Sequence, residues 1–480
     1  MGVGRQIANN AMWKYLELVS VTGIQLVTTF VMARFLSPDD YGVMGLVTVF
    51  TVIANVIVDS GFGQAVIREK EVTRGDYSSI LYFNLLISVI LYLLLYLFSG
   101  IIADIFRKPI LEEISKVTFL VLPMNALSIV QITKMQRDLK FKKLCIISLV
   151  SLLMASSVAI GFVYFYRNVW ALVLLNLLIY FFKMLLLWIT TDFIPLVSFS
   201  IESLKKYFGF SKNLMISALI ATLFNNIYSI VIGRAYSTAD LGFYSQADRL
   251  KNLASQTATQ VVQSVTYPFM SRINNENGDI KELYKKIISI ALVSVGFLMA
   301  VLIGSSLDLF EMLMGNPEWR TAGFYFMLMG VNGILFPLHC INQNVIMVKG
   351  DSGTILRLEI FRRIIMILIV VLTIKSHISV FVFGLTIYSV LLLFVNLYYC
   401  GKPIDYTVYE QLRDTLPIFV RLFVMVAASL GIGCLMESSP MPIRLAATLS
   451  IGCFSGLLLF WNQKDFKAIF SVLLSFLKTK

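Results

Sequence analysis

Apolar runs of about 20 residues follow one another from end to end of this 480-residue chain, and each is long enough to cross about 30 Å of hydrocarbon as an α-helix. A soluble chain of this length would divide into roughly three domains joined by polar linkers. No such linkers appear. Only 14% of the residues are charged and 58% are hydrophobic, which places the chain far from soluble proteins and makes the bilayer its solvent. Windowing the sequence places spans near residues 13–33, 41–66, 78–103, 114–133, 144–166 and 169–193, then 210–235, 241–270, 284–306, 321–347, 353–374 and 378–400, and finally 412–436 and 441–461. The expectation is an all-α integral membrane protein of fourteen transmembrane helices.

Orientation follows from Lys and Arg. The side holding the N-terminus collects 24 of them, including Lys134, Arg137, Lys140, Lys142 and Lys143 in a single loop, whereas the other side holds 8. The positive-inside rule then puts both termini in the cytoplasm, which agrees with an even number of spans. This asymmetry also accounts for the net charge of +12, so nucleic-acid binding is not needed to explain it. The first span carries Lys14 and Glu17 and lacks a small-x-small cleavage site, so it is expected to be a helix of the protein, not a signal peptide. The five cysteines all fall in apolar segments. They form no C-x-x-C pair, and they imply neither a disulfide framework nor a metal site.

The chain repeats itself. "ARFLSPDDYG" at 33–42 returns as "GRAYSTADLG" at 233–242, keeping Arg34/Arg234, Ser37/Ser237, Asp40/Asp240 and Gly42/Gly242. In each copy a Ser with an Asp three residues on supplies a helix N-cap. Six spans separate the copies, so both lie on the outer side and the halves are parallel six-helix repeats. Pro123 and Pro337 each interrupt the fourth span of their half, as kinks or hinges. The expected division is an N-lobe at 1–199, a C-lobe at 200–401 that begins with an interfacial helix, and two further spans with an amphipathic tail at 402–480.

"ARFLSPDDYG", followed by "VFTVIANVIVDSGFGQAVIRE" at 49–69 and "LGFYSQADRLKNLASQTATQVVQSVTYPFMSRI" at 241–273, resembles the polysaccharide transporter family, the Wzx-type lipid-linked oligosaccharide flippases of the MOP superfamily. The resemblance implies the MOP flippase fold, two six-helix lobes with two appended helices. It implies an exporter in the bacterial inner membrane that moves undecaprenyl-pyrophosphate-linked repeat units to the periplasmic leaflet for O-antigen, capsule or exopolysaccharide assembly. It leaves open a coupling proton or sodium ion and assembly with a polysaccharide polymerase.

A pyrophosphate crosses hydrocarbon only if cationic groups meet it in a hydrated cavity. Charges inside the spans cost about 2.5–3.5 kcal/mol each to insert, so each asks for a reason. Arg362 and Arg363 lie about ten residues, or about 15 Å, into the eleventh span and cannot snorkel far. Glu359 is spaced to pair with either. An internal charge pair that orients the helix and an anion-binding site explain this cluster equally well. Arg249 and Lys251 in the eighth span are read as cavity-facing cations, with Asp248 spaced to neutralise one of them. Arg249, Lys251, Arg362 and Arg363 are therefore the candidate substrate-binding residues. Glu17, Asp59 and Glu359 are the candidate ion-coupling residues, because a carboxylate held in low dielectric binds a proton more tightly than one in water. In the segment Asp59-Ser60-Gly61-Phe62-Gly63 the small residues permit close helix contact or a bend, and the G-x-G lacks the strand that a nucleotide site needs.

The sequence offers no enzyme signature. There are two histidines, no H-E-x-x-H or G-x-S-x-G, and no outer loop large enough to host glycan polymerisation. Neither catalytic residues, metal nor cofactor is expected. The rival readings are a lipid II-type flippase and a cation-coupled drug antiporter of the same superfamily. The cationic interior argues against the antiporter, since like charges repel cationic drugs.

Overall fold

The computed structural model describes residues 3–196, 199–275, 278–349, 352–461 and 463. They fold into two compact units, Met1–Gly242 and Phe243–Lys480. The tail at 464–480, expected to be amphipathic, lies outside the described residues. The first unit contains α1 (Val3–Ala33), α2 (Pro38–Asp59), α3 (Phe62–Arg68), α4 (Arg74–Leu97), α5 (Ser99–Phe106), α6 (Ile110–Thr118), α7 (Val121–Arg137), α8 (Phe141–Tyr166), α9 (Trp170–Thr190), α10 (Ile201–Asn225), α11 (Ile227–Ala235) and the first turn of α12 (Thr238–Asn275). The second unit continues α12 and adds α13 (Ile280–Met314), α14 (Arg320–Val348), α15 (Ser352–Thr373), α16 (Ile378–Gly401), α17 (Val408–Leu435) and α18 (Met441–Phe460). Helices account for each of the fourteen expected spans. Among the described residues twelve stretches are long and apolar enough to cross a membrane; the two expected spans that fall outside that set, α12 and α15, are those with the charge clusters.

Several spans are built from two helices, and each break has a local cause. The second span divides into α2 and α3 where Ser60 (φ 50°) and Gly61 (φ 71°) turn left-handed. A Cβ on Gly61 would also lie 2.9 Å from the carbonyl oxygen of Ser211 on α10. The expected bend and close contact are therefore both present. The fourth span divides into α6 and α7, and Pro123 sits in the first turn of α7, where its missing N–H costs nothing. Pro337 lies inside an unbroken α14. Of the stretch 200–208, expected as an interfacial helix, Ser200 is the N-cap and 201–208 form the first turns of α10. Gly209 is not left-handed, so nothing in the backbone interrupts the helix. Tyr207 is buried there, its hydroxyl 3.2 Å from the Asp76 carboxylate.

Basic residues of the N-terminal half hold connecting segments in place. Arg137 donates to the carbonyls of Glu69 and Lys70, Lys134 to that of Asp192, and Arg74 to that of Ile194. The hydroxyls of Ser78 and Ser79 accept from the backbone N–H of Leu196 and Ser200. These bonds satisfy polar backbone that would otherwise be stranded beside the apolar helices.

The two copies of the repeat cap their helices alike. The Ser37 hydroxyl donates to Asp40 at 2.7 Å and accepts from its N–H at 3.3 Å. Ser237 and Asp240 do the same at 2.6 and 3.0 Å. Within the first unit the two copies also meet. A Cβ on Gly42 would fall 1.7 Å from the carbonyl oxygen of Thr238, and a Cβ on Gly242 would fall 1.9 Å from that of Pro38. The two contacts are the same contact read in both directions, offset by the repeat. Asp39 accepts from Thr238 and is paired with Lys108 at 2.9 Å. Neither glycine has a substitute here, because the obstructing atoms are backbone.

In the second unit α13, 35 residues long, is the central post against which α14, α17 and α18 pack. At one end it carries Asp308, which accepts from Arg444 of α18 at 2.6 Å and from Arg320 of α14 at 2.9 Å. Glu311 joins the network through Arg320 at 3.0 Å. Side chains of Asp308 and Arg444 are 6% and 9% exposed, so this ion pair is held in low dielectric, where either partner alone is costly.

Two tests follow from this packing. Gly42→Ala and Gly242→Ala each lose about 1–3 kcal/mol or more through overpacking. Gly161→Ala, at a site with nothing within 4 Å, leaves the unfolding temperature of the solubilised protein unchanged or raises it. Asp308→Ala loses about 3–5 kcal/mol by stranding Arg444, read as a lowered unfolding temperature.

Candidate functional site

The four candidate cations all belong to the second unit, two on α12 and two on α15. On α12, Lys251 is 5% exposed. Its ammonium donates to Asp248 at 2.6 Å, and Asp248 also accepts from Asn252 at 2.8 Å. The Lys251 stem lies against Gly333 of α14, where a Cβ would come within 3.1 Å of it. Asp248 thus takes Lys251, its partner one turn on. Arg249 is half-buried on the same helix.

On α15, Glu359 holds both arginines, Arg362 at 2.7 Å and Arg363 at 3.5 Å. This is the i, i+3 and i, i+4 pairing that the spacing offers. One carboxylate therefore faces two guanidinium groups. Arg362 reaches further: its Nη2 donates to Oδ1 of Asn396 on α16 at 3.3 Å. Asn396 in turn contacts Nδ1 of His339 on α14 at 2.8 Å, and His339 Nε2 contacts the Ser389 hydroxyl at 3.0 Å. The Arg362 Nε is buried and has no acceptor among the described residues. The guanidinium is thus held through Nη1 by Glu359 and through Nη2 by Asn396.

The candidate carboxylates differ in how well they are satisfied. Glu17 pairs with Lys14 at 2.8 Å and accepts from Ser148 of α8 at 2.7 Å. Lys183 of α9 lies within electrostatic reach of it. Asp59 is the last residue of α2 and is exposed. A negative charge at a helix C-terminus faces the wrong end of the dipole. Glu359 is committed to its two arginines.

Two features were not read from the sequence. One is the chain from Glu359 through Arg362 and Asn396 to His339, which joins residues up to 57 positions apart on three helices. Its signal is the presence of Asn396 and His339 inside predominantly apolar spans, though their pairing is invisible in one dimension. The other is a cavity of about 770 Å³ in the second unit lined by residues including Lys285, Lys286, Tyr406, Gln411 and Asp414. Lys285 pairs with Asp414 at 2.9 Å, and the Tyr406 hydroxyl donates to Asp414 at 2.6 Å. Burial, together with that carboxylate, pushes the Tyr406 pKa above its ordinary value.

With this geometry in view, comparison with known proteins gives a consistent result. Residues 31–322 match the family described as "Polysaccharide biosynthesis protein". The chain is 26% identical over 369 residues to the teichuronic acid biosynthesis protein TuaB of Bacillus subtilis (strain 168), covering 74% of this chain and 75% of that one. It is 20% identical over 450 residues to the lipopolysaccharide biosynthesis protein WzxC of Escherichia coli (strain K12), covering 90% and 89%. Among solved structures, the lipid II flippase MurJ in an inward closed conformation superposes with a TM-score of 0.68 at 12% identity, covering 94% of this chain and 99% of that one. At that identity the likeness is one of fold, the fold of MOP-superfamily transporters. A multi-pass helical membrane chain with more than half its length matched in this way belongs to the polysaccharide biosynthesis protein family.

Proposed function

We propose that this protein is a flippase, a secondary transporter and not an enzyme. It translocates undecaprenyl-pyrophosphate-linked oligosaccharide repeat units across a bacterial inner membrane by alternating access, with both termini in the cytoplasm. The observation that carries this reading is the α15 cluster, in which Arg362 and Arg363 share one carboxylate and Arg362 keeps a buried N–H without an acceptor among the described residues. A buried guanidinium N–H that faces no acceptor is costly, and an anion seated on Arg362 removes that cost. A pyrophosphate supplies paired oxygens of the right charge and geometry. Family membership and the names of the relatives, which concern teichuronic acid and lipopolysaccharide, support a cell-envelope glycan as the cargo.

Arg249 and Lys251 on α12 are proposed as the second pair of cations that the pyrophosphate meets as the lobes at 1–199 and 200–401 alternate. Lys251 exchanges Asp248 for substrate in that step. Asp59, at the C-terminal end of α2 where the helix dipole disfavours its charge, is the foremost of the ion-coupling candidates, ahead of Glu17 and Glu359.

The test is a lipid extract of a deletion strain. A complete carrier-linked repeat unit that accumulates and stays inaccessible from outside is the expected result, and it identifies the glycan at the same time. Complementation with Arg362→Gln or Arg363→Gln lowers export about 10–100-fold, the value of one or two charge-assisted hydrogen bonds, at unchanged amounts of folded protein. Export unaffected by these substitutions removes the pair from the substrate path. Unchanged carrier lipids with altered tolerance of cationic drugs replace the flippase by an antiporter.

A further inference from the structure

The hydrogen-bond chain that ends on Arg362 has a direction, and the direction fixes a protonation state. Arg362 can only donate. Asn396 therefore turns its Oδ1 toward Arg362 and its NH2 toward His339. That NH2 can only donate too, so His339 Nδ1 carries the lone pair. The ring proton then sits on Nε2 and is donated to the Ser389 hydroxyl. The opposite orientation of the amide would set two donors face to face at Arg362 and lose a bond. Asn396 and Ser389 are 1% and 0% exposed, so water does not stand in for a lost partner.

A proton added to Nδ1 reverses this order. Nδ1 becomes a donor facing a donor, and the amide restores the bond by rotating half a turn. That rotation presents the NH2 to Arg362 and takes away its hydrogen bond to α16. One N–H bond forms on Nδ1 as a proton leaves a solvent hydronium ion, and one amide turns; no bond between heavy atoms forms or breaks. The groups around the ring are Arg362 on α15, with Glu359 and Arg363 beside it; Asn396, Ser389 and Tyr388 on α16; Cys340 on α14; and, one turn along, Tyr284 of α13, which hydrogen-bonds Asn342. Among the described residues Arg362 is the charge that acts on the imidazole. A protonated ring and Arg362 are two neighbouring cations, and an anion seated on Arg362 removes that repulsion.

We propose that His339 is the proton-binding site coupled to anion binding at Arg362: a proton on Nδ1 turns Asn396 and frees Arg362 for the anion, and the anion draws the proton onto His339. This rests on the reading of Arg362 as an anion site. His339 is a positioning residue that acts through Asn396, and the coupling is reciprocal, as linkage requires.

The chain has two histidines, so His377→Gln leaves a single imidazole to observe by nitrogen NMR of the full chain in lipid nanodiscs. Without ligand, the expected spectrum is the neutral Nε2–H tautomer. Inorganic pyrophosphate at pH 6 causes loss of that signal and appearance of imidazolium. Between pH 6 and pH 8, pyrophosphate affinity falls about tenfold more in the wild type than in His339→Gln, a typical coupling between linked sites. Arg362→Leu and, independently, Asn396→Leu release the lock, and both neutral tautomers appear even with no anion present. An Nδ1–H tautomer in the unliganded protein, or a tautomer unchanged in both leucine variants, overturns the inference whether or not pyrophosphate binds. Pyrophosphate binding that Arg362→Leu abolishes, with the imidazole signal unmoved in the parent, also overturns it. Binding that survives Arg362→Leu instead overturns the anion-site reading, while the leucine variants still judge the link between ring and guanidinium.

Discussion

Hydrocarbon offers no hydrogen bonds, and that single constraint shapes this chain throughout. Every peptide group in a span must be satisfied within the protein, which makes the spans helical and makes any interruption a local problem to be solved. The interruptions are solved locally. At the α2–α3 break the Ser60 hydroxyl donates to the Ile57 carbonyl, and Ser60 N–H still reaches Val56. At the α10–α11 break Asn226 spends its side-chain NH2 on the Thr222 carbonyl at 2.8 Å. Small polar residues in the spans thus stand where the backbone departs from the helix, and large apolar ones face outward. Leu97, Phe165 and Leu435 are 77%, 78% and 81% exposed, a pattern that water would punish and a bilayer rewards.

The same solvent makes each intramembrane charge seek a partner, and the way partners are found separates structure from function. Asp308 and Arg444 neutralise one another and fasten α18 to α13, leaving no charge over. Lys14, Glu17 and Ser148 form a closed group between α1 and α8. The α15 cluster is different in kind, because two arginines compete for Glu359 and one of them borrows an amide from α16. Partner geometry distinguishes these cases where composition cannot, since Arg320 and Arg444 look from the sequence like ordinary loop residues on the outer side.

The repeat shows how far one dimension reaches. Ser37 with Asp40 and Ser237 with Asp240 are legible as caps because a cap is a local interaction within four residues. The reason both copies keep a glycine at the fourth position after proline or threonine is not local. Gly42 and Gly242 are required because two backbones, 200 residues apart in sequence, approach within the space of a methyl group. Pro123 and Pro337 look alike in the sequence yet end differently, one in the first turn of a new helix and the other inside an unbroken one. A proline states only that its own N–H is missing; the surrounding helices decide whether that absence becomes a break.

The sequence by itself determined the helical class, the number and order of spans, the caps, the bend at Gly61, the pairing of Glu359 with its arginines and the resemblance that family membership bears out. All of these depend on hydropathy over about 20 residues or on contacts within one turn, and both are written along the chain. Only the tertiary structure decided that 200–208 continues into α10, that Asp308 meets Arg444, and that Asn396 and His339 set the orientation of Arg362. Those are contacts between helices, and which face of a helix meets which neighbour is chosen by packing of the whole unit.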